Sequence, residues 1–66
     1  MTTNEQKAAL YNLRLAVITA IEAGESRGIV TSVVNDTLFG IEHLGMEYVK
    51  DDTKAELAKL TKEIES

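Results

Sequence analysis

The chain has 66 residues, a mass of 7.2 kDa and no cysteine, proline or tryptophan. Hydrophobic residues make up 44% and charged residues 27%, which is typical of a folded protein and not of a disordered one. This length predicts a single small helical domain over residues 1–66. The lack of cysteine excludes a disulfide framework, a zinc knuckle and a thiol nucleophile.

Charge and hydropathy restrict the classes of partner. Eleven acidic and seven basic residues give a net charge of −4, and no segment is basic, so the footprint of a nucleic-acid binder is missing. The longest apolar run, residues 15–18 with its extension to Ile21, is far short of the roughly 20 residues that span a bilayer. We therefore expect a mature, cytoplasmic chain that binds neither nucleic acid nor a membrane.

The first predicted helix covers residues 4–24. Thr3 and Gln6 form the Thr-x-x-Gln pattern of a capping box, and Gly24 suits a left-handed cap at the other end. Between them, apolar residues recur at helical spacing in two stripes, Leu10, Leu13, Val17, Ala20, Ile21 and Ala8, Tyr11, Leu15, Ile18. The two stripes cover most of the circumference, which is more than one neighbouring helix buries.

The second predicted helix covers about residues 30–49, after a loop at residues 25–28. Its β-branched beginning leaves open a short extended piece, but the chain has no second strand candidate to pair with it. Gly40 and Gly45 are predicted inside this helix, where each glycine costs about 1 kcal/mol relative to alanine. Close approach of another helix is the favoured compensation, ahead of a kink or a break near Gly40.

The third predicted helix, residues 53–65, is shorter and amphipathic. Lys50-Asp51-Asp52 is expected to interrupt the chain, and Thr53 with Glu56 forms a second capping box. The predicted fold is all-α, with helices 1 and 2 as an antiparallel hairpin. Helix 3 packs on the hairpin as a flap or reaches across to a partner copy.

Self-association is predicted from size and from the width of the apolar faces. Scaling laws for this mass give an unfolded surface of about 10,400 Å² and a folded surface of about 4,100 Å², so a lone chain is marginal. Without a disulfide, and with one histidine for a metal, well-packed helices or burial against another copy must supply stability. The excess of apolar face favours a homo-oligomer.

Candidate interface residues lie mainly on helix 2. Phe39, His43 and Met46 are expected on a face rotated away from the main apolar stripe, and Tyr11 and Tyr48 join them as predicted protein contacts. The alternative is that the helix phase is wrong and that Phe39 is ordinary core.

His43 is the one residue that suggests chemistry. It precedes Glu47 by one turn of the predicted helix 2, a spacing that suits a metal ion or an acid–base pair. Two ligands are too few for a closed site, however, and no nucleophile-elbow motif is present. We expect no catalysis, no metal and no other cofactor.

The loop before helix 2 is a candidate anion site. Ser26, Arg27 and Gly28, followed by Thr31 and Ser32, place hydroxyls, a guanidinium and backbone N–H groups at a helix N-terminus. Turn formation and capping explain the same residues, and the spacing is not that of a P-loop.

Two functions follow from these observations. The leading hypothesis is a non-enzymatic protein-binding module, a small acidic helical adaptor, regulator or inhibitor that binds itself and another protein. The alternative is a small-molecule binder that holds an anionic or nucleotide-like ligand at an oligomer interface beside the Ser26 loop.

Overall fold

Three helices make up the fold. The computed structural model describes residues 3–65, in which α1 covers Asn4–Glu22, α2 covers Arg27–Leu44 and α3 covers Met46–Glu65. No strand occurs within this range. The predicted all-α class is confirmed, and so is the number of helices.

The N-terminus of α1 is held by the predicted capping box. The Gln6 backbone N–H donates to Thr3 Oγ1 at 3.1 Å, and the Thr3 backbone N–H donates to Gln6 Oε1 at 2.8 Å. Two backbone donors that the helix itself leaves unpaired are satisfied in this way. The prediction made from the Thr-x-x-Gln pattern is confirmed.

The C-terminus of α1 is closed by Gly24, as predicted. Its φ is +101°, a left-handed conformation that glycine adopts without a Cβ clash. The Gly24 N–H donates to Ile21 O at 3.0 Å and the Glu25 N–H donates to Ala20 O at 3.1 Å. This pair of bonds is the Schellman motif, which satisfies two of the last carbonyls of the helix.

The second helix begins earlier than predicted, at Arg27 in place of residue 30. Ser26 is the residue before it, and the Ile29 backbone N–H donates to Ser26 Oγ at 3.2 Å, as at a serine N-cap. The β-branched residues that follow are helical and not extended. With the cap in place, their weak preference for strand does not stop the helix from forming.

The predicted end of helix 2 at residue 49 is wrong, because the helix stops at Leu44. Gly45 has a φ of +93°, which a residue inside an α-helix cannot have. Its N–H donates to Ile41 O and its C=O accepts from the Val49 N–H, both at 3.2 Å. A single glycine therefore closes the last turn of α2 and opens the first turn of α3.

The predicted interruption at residues 50–52 is also wrong, because all three residues lie inside α3. The acidic residue in the first turn of α3 is Glu47, where the macrodipole favours a carboxylate, and Asp51 and Asp52 lie in the second turn. Thr53 is not an N-cap, since its hydroxyl donates to Val49 O at 2.7 Å, one turn back in the same helix. With 20 residues, α3 is the longest of the three helices and not the shortest.

Close packing at a helical glycine occurs at Gly40. A Cβ built on Gly40 would lie 3.2 Å from Val49 Cγ2, tighter than ordinary van der Waals contact. The first turn of α3 therefore approaches α2 so closely that a Cβ on Gly40 would displace the Val49 side chain by a few tenths of an ångström. The close approach predicted for both glycines holds for Gly40, whereas Gly45 forms the junction.

The chain divides into two compact units, Met1–Val33 and Val34–Ser66, with the boundary inside α2. No residue from 3 to 65 is fully buried. The residues of intermediate exposure are Val17, Ala20 and Val30 in the first unit and Val34, Gly40, Ile41 and Val49 in the second. In the part of the chain that the structure describes, these seven residues are the least exposed.

Candidate protein-binding surface

The main feature of the surface is its apolar content. The chain exposes 6037 Å², whereas a folded protein of this mass exposes about 4,100 Å². Sixteen large hydrophobic side chains within the described range are each at least 48% exposed. They are Leu10, Tyr11, Leu13, Leu15, Ile18, Ile21, Ile29, Val33, Leu38, Phe39, Leu44, Met46, Tyr48, Leu57, Leu60 and Ile64. So much exposed apolar area is typical of a surface that another protein covers.

Phe39 and His43 lie together on α2. Their ring centroids are 4.1 Å apart with an interplanar angle of 36°, and the residues are one helical turn apart. Phe39 is 62% exposed. Successive residues are about 100° apart around the helix axis, so Phe39 lies about 140° to 180° away from Val34, Ile41 and Val30. Phe39 therefore lies outside the half-buried face of α2, and its role in an interface stays a prediction.

The remaining predicted contact residues lie on helices other than α2. Met46 and Tyr48 belong to α3, beyond the junction at Gly45, and Tyr11 belongs to the first unit, on α1. Met46 lies in the apolar stripe of α3, whereas Tyr48 is about 160° around the helix from it, on the charged side. All three side chains are more than half exposed. The expectation of one helix-2 face holding Phe39, His43 and Met46 is wrong, because Gly45 ends the helix before Met46.

The expected pairing of His43 with Glu47 along one helix is likewise interrupted by Gly45. The Glu47 carboxylate instead lies 3.7 Å from Lys50 Nζ within α3. The His43 ring contacts Phe39. Among residues 3–65, no group of three or more histidine and acidic side chains is arranged to hold a metal ion.

At the candidate anion site, the hydroxyls take part in the local structure of α2. Ser26 Oγ accepts from the Ile29 N–H, and Thr31 Oγ1 donates to Arg27 O at 2.8 Å. Arg27 is the first residue of α2, and a Cβ on Gly28 would meet only Ser26 Oγ, at 4.0 Å. Whether Ser26, Arg27, Gly28, Thr31 and Ser32 bind an anion stays a prediction.

The apolar stripe of α3 is longer than the sequence predicts. With α3 beginning at Met46, about two turns before the predicted start at residue 53, the stripe extends over Met46, Thr53, Leu57, Leu60 and Ile64. Ile64, at 83%, is the most exposed of the large hydrophobic side chains. The spacing of seven, four, three and four residues is that of a helix that packs lengthwise against another helix, and this spacing was the signal that could have revealed it.

Comparison with known proteins adds no relative to this description. Searches against protein families, curated proteins and solved structures found no significant match. No helix in the described range is both long enough and apolar enough to cross a membrane. The functional interpretation therefore depends on the exposed surfaces of the chain itself.

Proposed function

We propose that this protein is a non-enzymatic, homo-oligomeric protein-binding module, an acidic helical adaptor, regulator or inhibitor. The observation that carries the proposal is the absence of any fully buried residue between positions 3 and 65. A chain without a core does not offset the conformational entropy of folding by itself. Burial of the exposed side chains against other chains supplies the missing stabilisation.

The area that is exposed in excess has the size of an oligomer interface. The difference between 6037 Å² and the about 4,100 Å² of a folded chain is about 1,900 Å² per copy. Two copies that bury this area remove about 3,800 Å² in total, within the range of about 2,000–5,000 Å² for obligate complexes. Within each copy, we expect α1 and the beginning of α2 to pack as an antiparallel hairpin through Val17, Ala20 and Val30.

A surface for a second protein is supported by Phe39 and by carboxylates on α2 and α3. Phe39 is an aromatic anchor on a largely polar side of α2, and such anchors dominate binding energies. Glu42, one turn or less away, and Glu47 on α3 contribute to the acidic surface, which favours a basic partner. The absence of cysteine suits work in a reducing compartment, and we place the protein in the cytoplasm.

Sedimentation velocity over a concentration series tests the oligomer. We expect the wild-type chain to sediment as a dimer or larger species at micromolar concentration, with helicity that falls on dilution. A compact, fully helical monomer at micromolar concentration contradicts the proposal, because the exposed apolar area would then need no second copy.

A second experiment separates partner binding from assembly. A complex isolated from the native host by wild-type protein is re-formed with Phe39→Ser and, as a control on α1, Asn12→Ser. We expect Phe39→Ser to lose the partner while Asn12→Ser keeps it. Charge reversal at Glu42 and Glu47 should weaken binding at low salt, and unchanged affinity there contradicts an electrostatic contribution.

A further inference from the structure

The outer face of α1 carries an apolar stripe that the first unit leaves uncovered. This outer stripe consists of Ala8, Tyr11, Leu15 and Ile18. It lies on the side of the helix opposite the half-buried Val17 and Ala20, at about 100° per residue. Tyr11 and Leu15 are 62% and 61% exposed. The segment that covers Val17 and Ala20 therefore does not cover this stripe, and a different segment is needed to bury it.

A row of positive charge follows one edge of the α1 outer stripe. Lys7 and Arg14 each immediately precede a stripe residue, Ala8 and Leu15, and are seven residues apart. The Arg14 guanidinium carbon lies 5.1 Å from the centroid of the Tyr11 ring, an arrangement that holds the charge against the stripe. The outer face of α1 is thus apolar at its centre and basic along this edge.

The apolar stripe of α3 has the opposite charge along the corresponding edge. Glu56 and Glu63 each immediately precede a stripe residue, Leu57 and Ile64, and are also seven residues apart. Glu56 Oε1 lies 3.6 Å from Lys59 Nζ in an exposed pair, which is weak enough to exchange for another partner. The α3 stripe is thus apolar at its centre and acidic along the same edge that is basic in α1.

We propose that the α1 outer stripe docks antiparallel on the α3 stripe of a second copy of this chain. Two antiparallel helices that meet face to face bring matching edges together, and edge charges set the orientation of such pairs. One register then places Lys7 beside Glu63 and Arg14 beside Glu56 of the other copy. The proposal rests on the proposed homo-oligomer and names the faces that meet.

The same register sets two pairs of apolar residues opposite each other, Tyr11 with Leu57 and Ala8 with Leu60, and it sets Leu15 opposite Thr53. The large Tyr11 ring and the small Ala8 methyl group each face a leucine. Val49, at the edge of the α3 stripe, stays on Gly40 in the first turn of α3. Leu57 and Leu60, which face Tyr11 and Ala8 in this register, lie two or more turns beyond Val49.

Other pairings of these stripes lack this charge match. Antiparallel pairing of α1 with α1 sets cations against cations, and antiparallel pairing of α3 with α3 sets Glu56 and Glu63 against their own copies. Parallel pairing of α3 with α3 places Glu56 opposite Thr61, which carries no charge. Like charges across such a contact are destabilising.

Exchange of the two stripes between copies also closes the assembly. If α1 of each copy docks on α3 of the other, a twofold axis relates two equal contacts and no stripe is left over. The area exposed in excess, about 1,900 Å² per chain, is of the size that a stable pair of this kind buries.

Charge reversal tests the contact. The first variant carries Lys7→Glu and Arg14→Glu, and the second carries Glu56→Lys and Glu63→Lys. Each variant alone sets like charges against each other at both contacts, and we expect its self-association to weaken on the order of 100-fold at low salt. In an equimolar mixture both contacts become complementary again, so the mixed pair should form with near wild-type affinity.

Matched controls make the same change of net charge away from the stripes. Arg27→Glu with Lys62→Glu is the control for the first variant, and Glu25→Lys with Asp51→Lys is the control for the second. Lys62 and Asp51 lie on the side of α3 away from the stripe. We expect each control to change self-association by less than about threefold at moderate salt.

The outcomes separate this contact from the proposed function. A wild-type chain that is monomeric at micromolar concentration overturns both. A wild-type oligomer whose two variants associate normally, or fail to associate with each other when mixed, overturns only the α1–α3 contact. If the single variants lose their helicity, circular dichroism of the mixture decides, because recovered helicity supports the contact and absent recovery overturns it.

Discussion

The two junctions between helices both depend on a left-handed glycine, but they are built differently. Between α1 and α2, Gly24 with a φ of +101° is followed by Glu25 and by Ser26, which caps the next helix. Between α2 and α3, Gly45 with a φ of +93° is the whole connection. In the first junction, different residues close α1 and cap α2. In the second junction, Gly45 alone bonds back to α2 and forward to α3.

This difference explains why only one junction is visible in the sequence. The residues around Gly24 are polar and include a capping serine, which together are typical of a helix end and a helix start. Leu44 and Met46, on either side of Gly45, continue the apolar pattern of the helices. A junction of one residue has no room for loop residues, so no polar signal accompanies it.

The largest effect is expected at Gly24. Gly24→Ala puts a Cβ on a left-handed residue, and we expect a loss of about 1–2 kcal/mol in the free energy of unfolding. Nothing lies within 4 Å of the added Cβ, so the loss reports backbone strain alone. Urea unfolding at fixed protein concentration measures it, and an unchanged midpoint contradicts the Schellman closure.

A smaller loss is expected at the cap that follows. Ser26→Ala removes the acceptor for the Ile29 N–H, which costs about 1 kcal/mol at a typical N-cap. Ser26→Asp keeps an acceptor there and should retain the wild-type stability. If Ser26→Ala unfolds at the same urea concentration as wild type, the α1–α2 junction does not depend on this bond.

Gly45→Ala should change structure more than stability. Alanine at this position escapes left-handed strain by becoming helical, which joins α2 and α3 and gains about 1 kcal/mol of helix propensity. The net loss is then smaller than for Gly24→Ala. Residues 40 and 49 should move to the separation of about 13.5 Å that nine residues span along a continuous helix.

Spin labels on the two helices check this prediction. Labels at Asp36 and Asp52 should give a longer distance in Gly45→Ala than in the wild-type sequence. The matched change Gly24→Ala should leave that distance unaltered. An unchanged distance in Gly45→Ala shows that the turn between α2 and α3 does not require glycine.

The smallest effects are expected at the two helical glycines. Gly28→Ala meets only Ser26 Oγ at 4.0 Å and should stabilise the protein by about 0.5 kcal/mol. Gly40→Ala brings its Cβ to 3.2 Å from Val49 Cγ2, and the contact offsets that gain. Thermal unfolding of both variants provides the comparison, and an equal gain at Gly40 contradicts close packing there.

Part of the candidate surface was predictable. The position of Phe39 away from the half-buried face follows from helical periodicity, because the phase of a helix does not depend on where it ends. The placement of Met46 and Tyr48 was not predictable in this way. The sequence pattern puts both residues on helix 2, and a break at Gly45 moves every residue after it onto a new axis.

The sequence by itself determined the features that depend on neighbouring residues. These are the all-helical class, the Thr3 capping box, the closure at Gly24 and the apolar periodicity of each helix, all of which arise from bonds and spacings within a few positions. Within a few residues of each position, the sequence does not distinguish Gly40 from Gly45, since both have apolar neighbours. Only the tertiary structure decided between them, because Val49 Cγ2 lies 3.2 Å from the position of a Cβ on Gly40, and this contact requires the chain to turn at Gly45.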